Sequence, residues 1–130
     1  MAKVNLLMIR SQYITDILDL LLDGDDGSIF RKQLPFLTDA GYEYTGAGLF
    51  VSFSYAGKID VSLPDELILS GVEIESPEAK ISADAMVRIS NHIVDYLEIW
   101  SHTGDYPDYT PVKYTLTQDW SGSPGRKIIR

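Results

Sequence analysis

Hydrophobic positions recur along this chain at two periods, and the change from one to the other divides it. Ile14, Ile17, Leu18 and Leu21 stand at i, i+3, i+4 and i+7, which lines them along one stripe of an α-helix. That helix is expected to begin either near Val4 or after Ser11, with Ser11 or Thr15 as cap, and to stop at Gly24. The acidic loop Asp23-Gly24-Asp25-Asp26-Gly27-Ser28 follows, with Ser28 as candidate cap of a short second helix carrying Phe30, Leu34 and Leu37. Pro35 limits the second helix, because proline has no amide hydrogen and its ring crowds the preceding turn.

From Tyr42 onward the period falls to two. Leu49, Val51, Phe53 and Tyr55 alternate with Phe50, Ser52 and Ser54, the pattern of a strand with one face in the core. Ala56-Gly57 suits a tight turn, after which Ile59, Val61 and Leu63 extend the alternation to Pro64. Leu67 and Leu69 then fall out of phase with Val72 and Ile74. One extra residue at Gly71 returns all four to one face, so a β-bulge is predicted there.

Ala83 to Ser90 and Ile93 to His102 read as a hairpin closed by Asn91-His92, two residue types that tolerate positive φ. A two-residue turn sets Arg88 against Asp95, Met86 against Leu97 and Asp84 against Ile99 on one face. The other face pairs Ile89 with Val94, Val87 with Tyr96, Ala85 with Glu98 and Ala83 with Trp100. Val112, Tyr114 and Leu116 form the last expected strand, ending at Trp120. The resulting expectation is an α+β fold, with one or two N-terminal helices packed on a mostly antiparallel sheet of about five to six strands. Residues 1–120 are read as one domain, the usual outcome for 130 residues, and 121–130 as a basic tail that folds back or frays.

Charge sharpens this picture. The formal net charge is −8, and Asp60 to Asp108 alone carries eleven carboxylates against Lys80 and Arg88. Such a field disfavours a nucleic-acid backbone as ligand and favours a basic protein partner. The absence of cysteine excludes disulfides and thiolate chemistry and suits a reducing compartment. The first residues are too briefly apolar for a secretory signal, and no window approaches the roughly 18 apolar residues of a membrane span. A cytoplasmic protein without membrane contact is expected.

No catalytic motif is present, and no cofactor or metal site is expected. The loop at Asp23 resembles a calcium loop only briefly, since its twelfth position is Leu34 where a bidentate Glu is needed. Gly46-Ala47-Gly48 precedes a strand, whereas a dinucleotide loop follows one. His92 and His102 lie near opposite ends of one expected strand, too far apart to share a metal. His102 is close in sequence to Asp105, without a partnered nucleophile.

The candidate binding residues are Tyr96, Glu98 and Trp100 on one sheet face, with Asp105, Tyr106 and Tyr109 in the proline-bounded loop that follows. A carboxylate between aromatic rings can grip a lysine or arginine, or serve as an acid or base, and Ala83 and Ala85 opposite leave room for a guest. The structural alternative is that the loop Thr103 to Pro111 covers the rings as a lid. The expected function is that of a small acidic protein-binding module, in character like an immunity or inhibitor protein that neutralises a basic toxin or nuclease. A small-molecule binder or enzyme using Glu98, and a homo-oligomeric module, are the alternatives.

Overall fold

Ser11 starts the first helix: its hydroxyl accepts a hydrogen bond from the Ile14 amide at 3.2 Å, and α1 runs over Gln12–Leu21. In this computed structural model, which describes residues 8–130, the earlier start near Val4 lies outside the described residues. Ile14, Ile17, Leu18 and Leu21 are all buried, as their spacing predicts. The second helical segment, Ser28–Phe36, is a 3-10 helix with Gly27 rather than Ser28 at its cap position and no side-chain cap bond. Its buried Gln33 works as a bracket, accepting from the Val94 amide at 2.9 Å and donating to the His92 carbonyl at 2.9 Å.

Seven antiparallel strands follow: β1 Leu37–Tyr44, β2 Gly48–Tyr55, β3 Leu67–Ser76, β4 Ile81–Ser90, β5 Ile93–Ser101, β6 Thr115–Gln118 and β7 Lys127–Ile129. Their order across the sheet is β1-β2-β5-β4-β3-β6-β7. The fold is α+β, as expected, with somewhat more strands. α1 packs on β3, β4 and β6, and the core fills the space between it and one face of the sheet. No helix of the described residues is long and apolar enough to cross a membrane.

Two differences from the sequence reading have physical causes, and one open alternative is decided. Ile59, Val61 and Leu63 alternate yet form no strand: β2 already has β1 and β5 on its two sides, and Val61 is 75 % exposed. The last expected strand is shorter than its alternation, with Val112 85 % exposed and β6 starting at Thr115. The basic tail folds back, and β7 pairs with β6 from Thr117↔Lys127 to Thr115↔Ile129.

The predicted bulge is present. The register of β3 against β4 shifts between Ser70 and Val72, and Gly71 has φ +107°. Leu67, Leu69, Val72 and Ile74 thereby share the helix-facing side. A Cβ at Gly71 would meet Trp120 Cβ at 2.8 Å and the Trp120 amide nitrogen at 3.2 Å. Gly71→Ala is therefore expected to cost about 2 kcal/mol, from backbone strain and displacement of Trp120. Urea denaturation followed by circular dichroism checks this, and an unchanged midpoint would show that the bulge tolerates a side chain.

Asn91 and His92 close the β4–β5 hairpin with φ of 52° and 68°, the left-handed pair that a tight two-residue turn needs. The ladder begins in the expected register, Ser90↔Ile93 and Ile89↔Val94, and then shifts by one residue. Asp95 is the extra residue, exposed and without a partner in the ladder, and Arg88 pairs with Tyr96 instead. This bulge keeps Val94, Leu97 and Ile99 together on the core side, which a regular strand could not do.

Candidate functional site

Among the described residues no helix packs on one face of the sheet, and its rows can be read directly from the register. Glu98 on β5 lies between Phe50 on β2 and Met86 on β4. Tyr96 lies between Ser52 and Arg88, and its ring sits 6.1 Å from that of Phe50 at an angle of 51°. Trp100 lies between Gly48 and Asp84, and the row continues through Glu73 on β3 and Thr117 on β6 to Lys127 on β7. Trp100 remains 38 % exposed, whereas Tyr96 and Glu98 are half-buried among their neighbours.

Tyr96, Glu98 and Trp100 thus face away from α1, but the surroundings differ from those read in the sequence. The Asp95 bulge turns Ala83, Ala85 and Val87 to the core and brings Asp84, Met86 and Arg88 beside the aromatic residues. The room expected opposite Glu98 is taken by Met86, its partner across the ladder. Four shallow clefts of about 200, 270, 300 and 340 Å³ lie elsewhere, and none is lined by Tyr96, Glu98 or Trp100.

The loop after β5 does not supply a lid over Trp100. Tyr106 is buried on the helix side, where its hydroxyl meets that of Tyr13 at 2.8 Å, and its amide donates to the Gly46 carbonyl. It belongs to the core and not to the open face of the sheet. Burial, with the neighbouring phenol, pushes Tyr13 well above the ordinary tyrosine range, so that hydroxyl stays neutral. Asp105 is exposed in the same loop. Tyr109 is 52 % exposed beside a separate cleft that also involves Ser76, Pro111 and Lys113.

His102 was the residue whose partner the sequence concealed. Its Nε2 lies 2.8 Å from Asp84 Oδ2, and its Nδ1 lies 3.0 Å from Ser82 Oγ, while Ser82 Oγ donates to Glu75 Oε1 at 2.9 Å. Asp84, not Asp105, is its carboxylate. The hydrogen bond to Asp84 raises the His102 pKa above the ordinary imidazole value; partial burial opposes this, and the charges of Asp84, Glu73 and Glu75 add to it. Serine, histidine and aspartate here have the connectivity of a nucleophile relay. The serine proton, however, is directed at Glu75, whereas nucleophile activation requires it to point at the imidazole.

Glu73 and Asp84 are directly opposed cross-strand partners, an arrangement of like charges that disfavours the sheet unless something neutralises it. One carboxylate oxygen from each of Glu73, Asp84 and Asp119 lies within 4.8 Å of the other two, the one such grouping among the described residues. Among the described residues the cations on this face are sparse: Arg88 is engaged with Glu66 at 3.5 Å, and Lys127 stands two strands beyond Glu73. Compared with known protein families, curated proteins and solved structures, the chain matches none.

A charged cluster at the end of α1 is structural. Arg126 binds Asp19 and Asp23 at 3.1 and 2.9 Å, and Arg31 binds Asp19 at 2.7 Å, so the acidic end of α1 is neutralised from the tail and the 3-10 helix. Carboxylates near a helix C-terminus oppose its dipole, which gives these arginines a local role in holding α1.

Proposed function

We propose that this protein binds a basic protein partner through the open face of its sheet, as an inhibitor or immunity protein occludes a toxin or nuclease domain. The supporting observation is that Phe50, Tyr96 and Trp100 share this face with Glu98, Asp84, Glu73 and Glu75, and neither helical segment packs over it. Aromatic rings supply contact area at little entropic cost, and a negative field steers and orients a cationic surface. An open acidic and aromatic sheet face suits a protein better than a small molecule, which needs enclosure.

The test is affinity capture from source-cell extract at low and high salt, using the native chain and a Glu98→Lys, Trp100→Ala variant side by side. Basic proteins are expected on the native chain alone, with retention falling as salt screens the exposed charges. Equal retention by both chains, or no basic protein at either salt concentration, would refute the reading. Sedimentation of the purified chain adds a control: self-association abolished by Glu98→Lys would assign the face to a second copy instead.

A further inference from the structure

We propose, building on that reading, that His102 is an internal stand-in for the partner's cation: it sits on Asp84 in the free protein and gives way to an arginine or lysine of the partner. The geometry carries the first half. Ser82 has one hydroxyl proton, and Glu75, an acceptor only, takes it at 2.9 Å. Ser82 Oγ must then accept from His102 Nδ1, and Asp84 must accept from Nε2, at 3.0 and 2.8 Å. Both ring nitrogens carry protons only in the imidazolium, so the complete network is the cationic one.

The groups facing His102 come from three elements: Ser82 and Asp84 on β4, Glu73 and Glu75 on β3, and Asp119 just after β6, grouped with Glu73 and Asp84. Lys127 shares the Trp100–Asp84–Glu73 row from β7. When His102 loses its Nδ1 proton, Ser82 can satisfy that nitrogen only by withdrawing its hydroxyl from Glu75, and when it loses the Nε2 proton, Asp84 loses its donor; either way the opposed Asp84 and Glu73 lose the cation bound to Asp84. The face then has its greatest capacity for a positive side chain beside the Trp100 ring, where cation–π contact adds to the ion pair.

The linkage has a definite sign. A histidine whose pKa is raised in the folded state stabilises the fold below the ordinary imidazole pKa, and that stability is lost as pH rises through the raised value. Affinity for a cation moves the other way, strengthening over the same interval because the internal competitor leaves. By reciprocity, the bound cation must lower the His102 pKa.

Hexa-arginine is the probe, added to the full chain at low ionic strength while the histidine Hε1 resonances are followed from about pH 5.5 to about pH 8.5, a window that brackets imidazole titration. The expected result is a downward displacement of the His102 midpoint and an affinity about tenfold tighter at the alkaline end, within the usual range of coupling between sites. His92 is the reference resonance: it lies at the hairpin turn with Nδ1 against the Leu63 carbonyl. His102→Gln is expected to bind with little dependence on pH, and the native titration stands even if that variant is unstable. Peptide binding of equal strength across the window, with the His102 midpoint unmoved, would overturn the stand-in role alone. No binding at any pH would remove the binding reading itself, and the inference with it.

Discussion

Gly48→Ala is expected to cost about 3–5 kcal/mol, placing it among the exceptional single substitutions. Gly48 opens β2 and pairs with Trp100 on β5. A Cβ there would run into the Ile99 carbonyl oxygen, with the Ile99 carbonyl carbon at 3.1 Å and Trp100 Cα at 3.2 Å. These are backbone atoms held in the ladder, so neither side can yield by a rotamer change. The β2–β5 contact would open at the end that positions Trp100. Gly41→Ala is the matched control, since a Cβ there has no atom of the described residues within 4 Å; its expected effect is under about 0.5 kcal/mol. Urea denaturation of the two variants gives the comparison, and similar midpoints would show that β2 does not depend on this close approach.

Asp16→Ala is expected to cost about 3 kcal/mol at neutral pH, because it empties the centre of a buried network. Asp16 is 3 % exposed and accepts from Tyr114 Oη at 2.7 Å, Gln12 Nε2 at 2.8 Å, and Arg130 Nε and Nη2 at 2.8 and 2.9 Å. Alanine leaves the buried Tyr114 hydroxyl without its acceptor and frees Arg130, the residue that follows β7. Burial pulls the Asp16 carboxyl upward, but the bonds from Arg130, Tyr114 and Gln12 outweigh it and hold the pKa below the ordinary carboxylate value. Burial also opposes the shifts of Asp19 and Asp23, and in each case the bonds led by Arg126 win.

A carboxylate with a lowered folded-state pKa contributes stability that is present above its unfolded pKa of about 4 and is lost as pH falls through the folded value. The native chain should therefore lose stability below about pH 4, and the gap between native and Asp16→Ala should narrow there. A gap that stays constant from neutral to acid would show that the network's ionisation contributes nothing.

Local signals in the sequence reached the helix stripe, the Gly71 bulge and the Asn91-His92 turn, because each is settled by neighbours within a few residues. The Asp95 bulge had the same kind of signal as Gly71: Val94, Leu97 and Ile99 break parity just as Leu69, Val72 and Ile74 do. No glycine marked it, and a regular two-residue hairpin concealed it. Tyr96, Glu98 and Trp100 still share one face because the bulge lies before all three, between Val94 and Tyr96, and turns them together to the side opposite Val94. Their cross-strand neighbours changed, and the alanines read as an open space proved to be core. β1 was illegible for a different reason, since Leu37–Tyr44 is half-exposed along most of its length and has a register break between Asp39 and Gly41. The partnership of His102 with Asp84 spans 18 residues and crosses a hairpin, beyond what spacing alone discloses.

The two indoles occupy opposite roles in this architecture. Trp100 stands on the uncovered face, while Trp120 is wedged beside Gly71 and Gly24 at the end of α1. They are the only tryptophans in the chain, so its intrinsic emission has two separable sources. With Trp120→Phe the remaining signal watches the open face, and quenching by a soluble collider reports its shielding; with Trp100→Phe it watches the packing around the bulge.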